Sequence, residues 1–196
     1  EGELHAMSTL GDTINATLRT IGPGSMHHLR AVMAEFGGLS FTDEGRLSVL
    51  AATIAAAAST HHARHRVIYL EAVKTWSLEV ASELMPAPLR VHEEGITGPI
   101  EDGADILISG LNGLIDRLVG EGVAVQDRLV TELAFIARLL GQHDANAIHC
   151  TLRHVHRALA CPDYRPGDAV RVPLREQIHP LTREARLEAV EPRGVA

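Results

Sequence analysis

Aromatic residues are scarce in this chain of 196: one Trp, two Tyr and three Phe make up 3% of it. Such a surface offers no row of rings for stacking bases and no aromatic cage for a quaternary ammonium. Two cysteines, Cys150 and Cys161, form neither a disulfide framework nor a CxxC pair. Lys74 is the only lysine; every other basic residue is arginine, which reads as a coding bias and leaves any lysine chemistry to Lys74. No run of about 18 uncharged apolar residues exists, so no membrane span is expected, and no charged-then-apolar leader is seen. Positive charge is in deficit: 18 Lys and Arg face 25 Asp and Glu, a net −7, which argues against a nucleic-acid surface. Met7 reads as a native start, with Glu1 to Ala6 an addition ahead of it. The default expectation is a soluble cytoplasmic protein.

What is present is apolar residues, 45% of the chain, at helical spacing. Leu10, Ile14, Leu18 and Ile21 mark a helix stopped by Gly22-Pro23-Gly24, and Ser25 opens another that runs to Phe36. Thr42 or Asp43 caps a long helical region reaching Leu84, with a break foreseen near Ser59-Thr60, because both residues favour caps over helix interiors. The stretch 86–99 is a Pro/Gly-rich loop, long enough to be functional. Further amphipathic segments cover 102–119, 123–140 and 144–159; in the second, Leu129 and Gln126 are expected on inner faces. These add up to an all-α, multi-helix bundle domain over 1–160. From Cys161 the character changes: five prolines and the extended AVRV after Pro166-Gly167-Asp168 read as an irregular arm, 161–196, with one short strand.

Histidines supply the candidate chemistry. In one continuous helix, Leu47, Leu50, Ile54, Ala58, His61, His65, Ile68, Ala72 and Trp76 share a stripe, which puts His61 and His65 where Leu and Ile point. A titratable group there must be hydrogen-bonded, metal-bound or chemically employed. The i, i+4 spacing suits two imidazoles on one metal or one substrate, although no HExxH or ExxH accompanies them. In the last helix, His149 and His156 border the inner stripe, whereas His154 and Cys150 are expected on the far side, as surface or subunit-contact residues. Arg90 and His92, on the long loop, are candidates for holding an acidic group. His28 and Glu35 flank one side of their helix, within reach of a common cleft; a solvated edge is the plainer expectation.

Two segments share a shape: an apolar helix, a short polar turn, then a helix carrying a histidine. They are Leu47-Ser48-Val49-Leu50 leading to His65, and Glu132-Leu133-Ala134-Phe135 leading through Gly141-Gln142-His143 to His149. This shape resembles the carboxymuconolactone decarboxylase and alkylhydroperoxidase D-like superfamily, whose members carry an apolar helix, a turn, and a helix with CxxCxxxH or a cysteine-free equivalent. The resemblance implies an all-α fold, homo-oligomers, and His65 as the matched catalytic position. The chain departs from the pattern at three places: Ala58 and His61 stand where the redox cysteines would be, and Arg46 where an acidic residue would open the first helix. Cys150 follows His149 and is misplaced for a thiol peroxidase, which needs a nucleophilic and a resolving thiol.

The expected function is therefore acid/base chemistry on a small acidic or lactone substrate, with His65, His61 and His149 catalytic and no cofactor. A non-catalytic helical oligomer, binding or scaffolding, is the rival. A histidine-bound metal or haem protein is the third reading.

Overall fold

The computed structural model describes Asp12, Ala16 and residues 19–84 and 100–161. The long loop with Arg90 and His92, and the arm beyond Cys161, lie outside the described residues. Six helices and no strand are found among the described residues: α1 Pro23–Gly37, α2 Asp43–Ser59, α3 Ala63–Leu84, α4 Ile100–Gly120, α5 Val125–Leu140 and α6 Ala145–Ala160. The all-α bundle expected from the periodicity is what forms.

Local chemistry sets the helix ends. Thr42 Oγ1 accepts the Gly45 amide at 3.0 Å, and Asp43 and Glu44 place negative charge in the first turn of α2. Asp144 caps α6 in the same way, accepting from the Ala147 amide at 2.8 Å. At the far end of α2 the Ser59 and Thr60 hydroxyls donate back to the carbonyls of Ala56 and Ala57, both at 2.7 Å. Those bonds compete with continued helix, and the helix stops.

Helix α2 is the axis of the bundle. Leu47 through Ile54, Ala55, Ala57 and Ala58 are all buried, so it is apolar on every side rather than along one stripe. It packs chiefly on α4 and α6 and also touches α3 and α5; α1 lies on α4, and α3 lies on α5 and α6. Helix directions follow from the paired residues. Tyr69 meets Glu132 and, further along both helices, Val80 meets Gly141, so α3 and α5 run the same way. Ser25 donates to Glu121 and His28 to the Gly110 carbonyl, so α1 and α4 run opposite ways. Between those two, Gly110 sits directly against Val32, a contact that a larger residue would obstruct.

The break after Ser59 re-phases everything downstream. The buried face of α3 is Tyr69, Leu70, Val73, Ser77, Val80 and Ala81. The stripe expected from an unbroken helix fails here: Ile68 is 68% exposed, Val67 57%, and His65 is exposed as well. The last helix corrects a second expectation. Helix α6 lies against both α2 and α3, and covering it from two sides widens its buried arc. Cys150 and His154 are inside, 5% and 2% exposed, while His149 and His156 face outward. The opening of α5 stands at the bundle's edge, so Gln126 and Leu129 are both exposed rather than inward.

Candidate functional site

Polar groups gather at three places. The first is the turn between α2 and α3. His61 occupies that turn and not a helix face. Its ring lies against the Tyr69 ring with centroids 4.7 Å apart, and its buried Nε2 has no partner among the described residues. Tyr69 donates its hydroxyl to Glu132 Oε1 at 2.6 Å. Burial pushes the Glu132 carboxyl above the usual range and outweighs the Tyr69 bond, which pulls it down. Burial, with Glu132 beside it, holds the Tyr69 phenol well above its ordinary value. His61 is lowered, first by burial and then by the neighbouring His65 and Arg66. Arg66 closes the turn by donating Nε to the His61 carbonyl at 3.0 Å and a terminal nitrogen to the Ser59 carbonyl at 3.3 Å.

The second place is the turn between α5 and α6. His143 has a buried Nε2 with no partner among the described residues, and burial lowers its pKa. Arg46 lowers it further, while Asp43 and Asp144 act in the opposite direction. Arg46, at the start of α2, thus faces His143. His61 follows the other end of that helix, roughly 20 Å away at 1.5 Å per residue.

The third is a cleft of about 290 Å³ between α3 and α6, lined by Leu70, Glu71, Lys74, His149, Leu152, Arg153 and His156. On α6, His149, Arg153 and His156 fall on one outward face, since residues three and four apart are neighbours on a helix. Across the cleft Lys74 is paired with Glu71 at 3.3 Å. Four basic side chains and one carboxylate therefore converge above a floor of two buried leucines.

The expected site residues are distributed over these places and not brought together. His61 is in the first turn, His149 is in the cleft, and His65 is exposed on the opening turn of α3, with its ring 6.2 Å from that of His62. His28 is committed to the Gly110 carbonyl at 2.8 Å, and Glu35 is exposed, so the two share no cleft. Among the described residues no three His, Cys, Asp or Glu side chains are grouped as a metal ion would require. A separate groove of about 240 Å³ between α1 and α5, lined by Met26, Leu29, Met33, Phe135 and Leu139 with Arg30 and Arg138 at its edges, is mostly apolar.

Sequence reasoning missed Tyr69 and Arg153, and named Lys74, Glu132 and His143 without making them site residues. Glu132 carried a signal, a carboxylate directly before the inner-stripe Leu133. Lys74 and Arg153 carried none, because a cleft between two helices depends on how those helices pack. Compared with known protein families, characterised proteins and solved structures, the chain matches none.

Proposed function

We propose that the protein binds a small acidic molecule in the α3–α6 cleft and performs acid/base chemistry on it, as a decarboxylase-like helical protein without redox cysteines. The observation that carries the reading is the convergence of Arg153, Lys74, His149 and His156 on one cleft whose described lining holds one carboxylate, already paired. Arg153 holds the acid group by charge-assisted hydrogen bonds, with the Glu71-paired Lys74 across the cleft. His149, which lines the same cleft, moves the proton in this reading, imidazole being the commonest side-chain acid/base. In this reading His149 takes the role that the family resemblance gave to His65, and His61 is a positioning residue of the α2–α3 turn.

The test is an NMR titration of the intact chain with benzoate, succinate and γ-butyrolactone, followed by a turnover measurement on whichever binds. Arg153→Gln is expected to weaken binding about tenfold, one charge-assisted contact at about 1.4 kcal/mol. His149→Gln is expected to abolish turnover while binding and helicity persist. Binding and turnover untouched by both substitutions would exclude the cleft.

A non-catalytic assembly is the second reading, and one observation favours it. Val67 and Ile68 are large apolar residues left open side by side on α3.

A further inference from the structure

We propose that the α3–α6 cleft is a site for a doubly charged oxyanion of the phosphate class, built on the two-fold axis of a duplicated helical hairpin. It rests on the reading of the cleft as an acidic-ligand site and narrows the ligand.

The duplication is visible once the helices are placed. Residues 43–78 and 125–160 align without a gap at a constant offset, and nine of the 36 positions are identical. Among them are Arg46 with Arg128, Ile54 with Ile136, His61 with His143, Leu70 with Leu152 and Val73 with Val155. Helix starts obey the same offset: Asp43 corresponds to Val125, and Ala63 to Ala145. So does the packing. Helix α2 lies on α6 as α3 lies on α5, and exchanging the two hairpins turns one contact into the other. Two contacts map onto themselves, that of α2 with α5 inside the bundle and that of α3 with α6. Leu70 and Leu152, equivalent residues, both line the cleft there, so the cleft sits on the axis.

Its walls have diverged in charge. Where α3 carries Val67, Glu71 and Lys74, α6 carries His149, Arg153 and His156 at the equivalent positions. Lys74 and Glu71 offset one another at 3.3 Å, which leaves Arg153 as the fixed charge without a counterpart among the described residues of the lining, flanked by the two imidazoles. A carboxylate presents two oxygens in one plane and is satisfied by the guanidinium fork alone. A tetrahedral phosphate presents three oxygens in different directions, and the donors beside and opposite the fork then have acceptors to meet. The excess of donors around Arg153 matches the second geometry.

The test is calorimetry and phosphorus NMR on the intact chain with inorganic phosphate and phenyl phosphate, against benzoate as the planar control. The expected result is one phenyl phosphate per chain, bound at least tenfold tighter than benzoate. Arg153→Gln should weaken it tenfold or more and His156→Gln several-fold. Arg64→Gln, an exposed arginine outside the cleft lining, should leave it unchanged. Circular dichroism of each variant checks the helices. Benzoate bound as tightly as phenyl phosphate, with both lost in Arg153→Gln, would overturn the phosphate assignment and leave the acidic-ligand reading standing. No binding of any of the three, or equal losses in Arg153→Gln and Arg64→Gln, would overturn both.

Discussion

Gly110, in the middle of α4, gives the sharpest test of how closely α1 is held. A Cβ built on it lies 2.6 and 2.7 Å from the two γ-methyls of Val32 and 3.2 Å from the Val32 Cβ. Val32 is buried, and its branched side chain has few rotamers to move into. Two effects oppose each other in Gly110→Ala. Helix propensity favours alanine by about 1 kcal/mol, and overpacking a buried contact costs about 1–3 kcal/mol. The net expectation is a loss of about 1 kcal/mol, or about 2–4 °C in Tm for a chain of this size. The decisive measurement is the double-mutant cycle by urea denaturation. In a Val32→Ala background both offending methyls are gone, so Gly110→Ala should change sign and stabilise by up to about 1 kcal/mol. If Gly110→Ala stabilises the native chain, or costs the same in both backgrounds, the close approach of α1 and α4 is refuted.

Two further outcomes concern titration and thiols. His61 and His143 are both lowered in the folded chain, so as pH falls below about 6.5 the unfolded chain takes up protons first. Their contribution to stability is full above that pH and is lost below it. The double variant His61→Gln, His143→Gln should therefore lose less of its urea midpoint between pH 7.5 and 5.5 than the native chain, and an equal loss would contradict the burial of the two turns. Glu132 has the opposite sign, since its raised carboxyl favours the folded state at low pH, and it is common to both proteins compared. Of the two thiols, Cys161 is exposed and Cys150 is buried with its pKa pushed up by that burial. A disulfide reagent at pH 8 should thus label one thiol per chain quickly and the second only on unfolding; two fast thiols would place Cys150 at the surface.

The fold was legible because its signals are local. Thr42, Ser59-Thr60 and Asp144 mark helix ends by hydrogen bonds to backbone groups within four residues, and such signals survive in any tertiary setting. The candidate site was less legible, for two reasons seen in particular residues. The stripe through His65 and Ile68 assumed that helical phase carries across Thr60 to His62, and a three-residue turn resets it. One apolar stripe predicts one inner face for α6, but contact with two helices extends the covered arc on the side of Cys150 and His154 and leaves His149 facing the cleft. A single sequence shows periodicity; it does not show how many neighbours a helix has.

The alanine-rich axis also bears on how the chain reaches this state. The principal partners of α2 are α4 and α6, and the latter begins at Ala145, far along the chain. Contacts of that span are costly to close and slow to form. The first hairpin, when it emerges, has its most apolar helix uncovered until the last has been made. Synthesis therefore passes through an interval in which α2 must be kept from other chains. Folding should be limited by the arrival of α6, so lesions there should act on the folding rate first, and on the finished protein only afterwards.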